Sequence, residues 1–106
     1  MDILKMRKLH KFNAVRTEVD GIKFPSKKES KYYEELKLRQ KAGEVVFFLR
    51  QTPFHLPGNV KYVVDFTVFL ADGTIEFIDV KGVITDIFKL KCKQVEDLYP
   101  IKITLV

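Results

Sequence analysis

Two aspartates and a lysine stand in stretches that are otherwise almost wholly apolar. Asp65 lies within Tyr62-Val63-Val64-Asp65-Phe66, and Asp79 and Lys81 lie within Phe77-Ile78-Asp79-Val80-Lys81-Gly82. Isolated acids in buried strands are expensive unless they are paired or bound to a metal. The intervening Leu70-Ala71-Asp72-Gly73-Thr74 decides whether the two acids meet. A three-residue hairpin loop takes a type I turn followed by a left-handed residue, normally glycine. Ala71-Asp72-Gly73 fits that description, so Leu70 pairs with Thr74 and, counting outward, Asp65 with Asp79. Their Cβ atoms would then be about 4.5–5.5 Å apart. A two-residue turn at Asp72-Gly73 would place the acids on opposite faces. The acids favour the three-residue turn only if they share a task.

Like charges opposed across a sheet destabilise it unless something offsets them, and a divalent cation does so. Mg²⁺ takes carboxylate, backbone carbonyl and water oxygens. Lys81 follows Asp79 at strand alternation and projects from the same face. Its ammonium could orient a water or offset negative charge developing at phosphorus. Two acids, a base and a metal are the parts required to hydrolyse a phosphodiester. The plain alternative is a pair of solvated acids near strand ends, with Lys81 as their salt-bridge partner. The apolar neighbours weigh against it.

The elements that must position these residues form an α/β (α+β) order. Thr17–Val19 and Ile22–Phe24 flank Asp20-Gly21, a two-residue hairpin signal. Ser26 to Glu29 reads as a capping box opening a helix that runs to about Ala42, where Gly43 ends it. Glu29, Tyr33, Leu36 and Gln40 share its inward face. Glu44 to Gln51 is a strand, and Gln51 at its end could reach the acids. Thr52 to Asn59, with two prolines and a glycine, is expected to be a loop that holds His55. Val60–Leu70 and Thr74–Lys81 are the next strands. Thr85 caps a second helix ending before Pro100, and Ile101–Val106 is a last strand, parallel to its neighbour through a right-handed crossover. Helix, three-stranded antiparallel meander, helix and parallel strand is the expected core.

The 106 residues leave room for one domain, with 46% hydrophobic and 31% charged residues, as in ordinary globular proteins. No apolar run approaches a membrane span and no signal peptide is visible, so no membrane partner is expected. The single Cys92 excludes an intrachain disulfide and a multi-Cys zinc site, which points to a reducing, cytoplasmic location. His10 and His55 lack metal-ligand spacing. The net charge is +5, and residues 1–12 carry Lys5, Arg7, Lys8 and Lys11 against Asp2 alone. This basic arm before a domain at 13–106 suits phosphate contact, and equally suits a floppy solubilising terminus. On the second helix Cys92 shares the core side with Phe88 and Val95, and Lys89 and Lys93 form one basic edge. Because that helix follows the acids directly, phosphate contact by Lys89 and Lys93 is the favoured reading.

At Asp65 and Asp79-Val80-Lys81, with Glu29 as an upstream helical acid, the sequence resembles the PD-(D/E)XK nuclease superfamily. It is most similar to small phage-encoded members related to Holliday-junction resolvases, and the stretch Thr17 to Glu29 shares that likeness. Val64 stands where the motif's name has proline, a common departure. The resemblance covers roughly residues 12–106. It implies a restriction-endonuclease-like core in which Asp65, Asp79 and the Val80 carbonyl bind Mg²⁺ or Mn²⁺. Glu29 and Lys81 would complete the catalytic set. It further implies an endonuclease acting on DNA, branched substrates included, as a homodimer in the cytoplasm of a bacterial host. The competing expectation is a non-catalytic nucleic-acid-binding phage protein that retains the nuclease fold.

Overall fold

The computed structural model describes residues 17–106. The basic arm with Lys5, Arg7, Lys8 and Lys11, and His10 beside it, lie outside the described residues. Strands β1 (Thr17–Val19) and β2 (Ile22–Phe24) form an antiparallel hairpin. Asp20 and Gly21 turn it with φ of 54° and 76°, the two positive values that a tight primed turn demands. The Tyr33 hydroxyl donates to Asp20 Oδ2 at 2.9 Å, tying the hairpin to the following helix. That helix, α1, spans Lys27–Lys41, and Gly43 beyond its C-cap adopts φ +87°. Its buried residues are Glu29, Ser30, Tyr33 and Leu36; Gln40, expected on the same face, is exposed and donates instead to the Val46 carbonyl.

The main sheet has the order β3-β4-β5-β6, with β3 Val45–Leu56, β4 Val60–Leu70, β5 Ile75–Asp79 and β6 Ile103–Leu105. The β3-β4-β5 meander is antiparallel and β6 pairs parallel with β5. Between β5 and β6 runs α2, Asp86–Leu98, whose N-cap Thr85 accepts from Phe88 N. The architecture is mixed α+β, two helices and two sheets among the described residues. No described helix is long and apolar enough to cross a membrane.

Three boundaries differ from expectation. Thr52 to Leu56 continue β3, so the expected loop shrinks to Pro57-Gly58-Asn59. β3 is an edge strand, where a proline such as Pro53 is tolerated because a missing N–H need not break a ladder on both sides. His55 therefore belongs to a strand, and its carbonyl accepts from the Tyr99 hydroxyl at 2.8 Å. β5 is shorter than Thr74–Lys81 and β6 shorter than Ile101–Val106, although Val106 N still donates to Asp79 O (2.9 Å) and Lys81 N to Val106 O (3.2 Å).

Burial divides into two clusters. Tyr33 and Leu36 of α1 pack with Val45, Phe66, Val68, Ile78 and Val80, whereas Val95 of α2 packs with Leu56, Tyr62, Val64 and Ile103. Ile78 joins the first cluster and its neighbour Phe77 the second, so the helices cover opposite faces of β5. On β4 the change falls between Val64 and Phe66, and on β3 between Phe54 and Phe48. Both strands thus exchange one core for the other about Asp65 and Gln51.

Candidate active site

The turn between β4 and β5 sets the site. Gly73 has φ +92°, Gly73 N donates to Leu70 O at 3.0 Å, and Leu70 N donates to Thr74 O at 2.9 Å. This is the three-residue connection, and the register Phe66↔Ile78 carries Asp65 opposite Asp79. On its other side the β3–β4 register places Gln51 opposite Asp65. Neither pair is part of a regular ladder, and Gln51 has φ +56°, an uncommon value for a residue with a side chain.

Side chains take over the hydrogen bonding where the ladders stop. Asp65 N donates to Asp79 Oδ1 at 3.0 Å, and Val80 N donates to Asp65 Oδ2 at 2.9 Å. Each carboxylate thus holds the other strand's backbone. Asp79 is 1% exposed, and the Tyr62 hydroxyl donates to its Oδ2. Burial pushes its carboxyl above the ordinary carboxylate range, against the pull of the Asp65 N–H and the Lys81 charge. Asp65 is only half-buried, and among the described residues its Oδ1 has no hydrogen-bond partner.

Glu29 enters from the first turn of α1. Ser26 Oγ accepts from Glu29 N at 3.1 Å, which is the N-cap expected from the sequence. The carboxylate does not complete the expected box: it accepts from Gln51 Nε2 at 3.3 Å and lies 3.8 Å from the Arg50 guanidinium. Glu29 is 3% exposed, and burial followed by the Asp65 charge raises its pKa to about 7. Arg50 and Lys81 pull it down, and Asp79 adds a smaller upward push. The four expected residues Glu29, Asp65, Asp79 and Lys81 therefore share one electrostatic neighbourhood. Lys81 is half-buried with its ammonium 4.7 Å from the Phe88 ring centroid, and its carbonyl accepts from Lys28 Nζ at 3.0 Å.

Among the described residues no three His, Cys, Asp or Glu side chains stand together as ready metal ligands. Asp65 and Asp79 are brought together, while Glu29 is turned towards Gln51 and Arg50. Lys89 and Lys93 are exposed on α2, with Lys89 4.0 Å from Asp86, and no contact joins either to the acids among the described residues. Tyr62, Arg50 and Lys28 were not among the residues expected at the site. Arg50, a lone cation closing the apolar run Val45–Leu49, was a readable signal; the Tyr62 and Lys28 contacts depend on tertiary pairing alone.

The model of a family described as proteins of unknown function, DUF1064, matches residues 9–106. The chain belongs to this family. The match spans every described element, so the acid row and both helices are parts of the family's domain. No curated protein and no solved structure matches the chain.

Proposed function

We propose that this DUF1064 chain is a divalent-metal-dependent endonuclease with a restriction-endonuclease-like core, acting on DNA in the cytoplasm of a bacterial host. The observation that carries this reading is the opposition of Asp65 and Asp79 across a hairpin, with Lys81 and Glu29 in the same field. The donor set fits a hard cation: Asp79 is a desolvated carboxylate short of positive charge, and among the described residues Asp65 retains an oxygen without a partner. Asp65, Asp79 and the Val80 carbonyl would hold Mg²⁺ or Mn²⁺. When bound, the ion would supply Lewis-acid polarisation of the phosphodiester and a more acidic water.

The chain's own groups do the rest. The Lys81 ammonium offsets negative charge building on the phosphate. Glu29, whose pKa of about 7 lies near neutrality, can accept a proton from the attacking water. Arg50 and Gln51 hold Glu29 in place until then. Lys89, Lys93 and the basic arm contact flanking phosphates. Cutting both strands of a branched duplex calls for two such sites, hence a homodimer. Val83, Ile84, Ile87 and Leu90 leave exposed apolar surface beside the site that a second copy would cover.

Incubation of the protein with end-labelled four-way junction and linear duplex, with and without Mn²⁺, tests the reading. Cleavage that needs the metal and prefers the junction is expected. Binding without cleavage under Mg²⁺ and Mn²⁺ alike would favour a non-catalytic nucleic-acid-binding protein and end the enzyme proposal.

A further inference from the structure

Tyr62 is 7% exposed, with its ring centroid 6.0 Å from that of Phe88 and its hydroxyl between Asp79 Oδ2 and Cys92 Sγ, the latter at 3.7 Å. Its surroundings are Leu56, Val64, Val95 and Ile103, an apolar cluster in which phenylalanine would pack as well. Burying a hydroxyl there is unfavourable unless it finds a partner. Packing alone therefore does not explain the tyrosine, and its bond to Asp79 does.

The two Asp79 oxygens are held by different donors, Oδ1 by the Asp65 N–H and Oδ2 by Tyr62. A carboxylate held at both oxygens cannot rotate about its Cβ–Cγ bond without losing a hydrogen bond. Its remaining lone pairs are therefore presented in one orientation. Tyr62 is also a neutral donor, so it orients the acid without cancelling the charge that a cation needs, as a lysine in its place would. Partners of this kind around metal ligands set ligand orientation and, when removed, weaken metal binding.

We propose that Tyr62 is a positioning residue that orients Asp79 for a divalent cation, an inference that rests on the metal-dependent reading above. Calorimetric titration of Mn²⁺ into the wild-type chain and Tyr62→Phe tests it, with metal-free melting of each as the measure of the fold. Wild type is expected to bind, and Tyr62→Phe to bind about 10–100-fold more weakly, while its metal-free form still melts cooperatively, at a lower temperature because Asp79 Oδ2 loses its donor. Ile103→Val, which loosens the same cluster, is expected to lower the melting temperature and leave Mn²⁺ affinity intact. Equal or tighter binding by Tyr62→Phe overturns the proposal, and so does a loss of affinity in Ile103→Val matching that of Tyr62→Phe. A wild-type chain that binds no Mn²⁺ brings down the metal reading itself, a different failure.

Discussion

Asp72 and Asp79 belong to one hairpin and have opposite environments. Asp72 sits in the turn, where its Oδ1 accepts from Thr74 N at 2.9 Å and from Thr74 Oγ1 at 2.6 Å. It is exposed, and those bonds hold its carboxyl below the ordinary range. Asp79 also accepts two hydrogen bonds, yet its carboxyl is held above that range because burial outweighs them. Hydrogen bonds in water are enough to explain Asp72 as a turn residue. At Asp79 they leave an electrostatic deficit next to a second acid, a feature of sites more than of scaffolds.

The sharpest way to break this contrast is to neutralise each acid in turn. Asp79→Asn is expected to reduce Mn²⁺-dependent cleavage by more than about a hundredfold, since even outer partners of metal ligands are worth 10–100-fold. Asp72→Asn, with its side chain outside the site, is expected to cut within about twofold of wild type on the same time course, well short of an outer partner's effect. Equal rates for Asp79→Asn and wild type would remove Asp79 from the site.

The second effect is pH-dependent stability of the metal-free protein. Glu29 has a folded pKa raised from 4.5 to about 7, so its folded form is favoured while protonated. The stabilisation is complete below pH 4.5 and is lost as pH rises through about 7. The shift corresponds to about 3 kcal/mol. Melting temperature is expected to fall across that window, Glu29→Gln to flatten the fall, and saturating Mn²⁺ to restore stability at the upper end. A Glu29→Gln profile parallel to wild type would mean that the Glu29 carboxyl does not titrate in this window and would remove it as the base.

Much of this arrangement could be read from local chemistry. Asp20-Gly21, Ser26, Gly43, Gly73 and Thr85 each act through their own neighbours, and each performs in the structure the turn or cap expected of it. The Asp65–Asp79 opposition followed from Gly73 because a hairpin register propagates by counting. Pro53 misled because its effect depends on whether its strand has one neighbour or two, which is a tertiary fact. Glu29 misled in part for the same reason. The capping pattern predicts where its N–H goes, but its carboxylate is decided by Arg50 and Gln51 arriving from β3. The change of core on β4 likewise has no local signature, since Tyr62 and Val64 before Asp65 and Phe66 and Val68 after it keep one apolar alternation.

Gly73 links the two acids, and its replacement is the next smaller perturbation. Beyond its own chain neighbours, no atom of the described residues lies within 4 Å of a Cβ built there, so Gly73→Ala meets backbone strain at φ +92° and no clash. A left-handed residue with a side chain costs about 1–2 kcal/mol. Denaturant unfolding is expected to show a loss of that size with Mn²⁺ affinity retained, provided the register holds. If the strain instead shifts the turn to two residues, the acids part to opposite faces and Mn²⁺ affinity falls with stability.

The smallest effect returns to Asp72. Its depressed carboxyl means that its contribution to folding is present above the unfolded pKa and is lost as pH falls through the lower folded value. Asp72→Asn is therefore expected to narrow the stability difference between neutral and acid pH, in the direction opposite to Glu29→Gln. Melting both variants across the same buffers separates the two kinds of acid without any assay of activity. The Asp72 trend rests on short-range bonds to Thr74 and the Glu29 trend first on burial, neither of which salt screens, so both trends should persist, with opposite signs, in added salt. Changes of the same sign in the two variants would mean that burial is not what distinguishes the site acids from the turn acid.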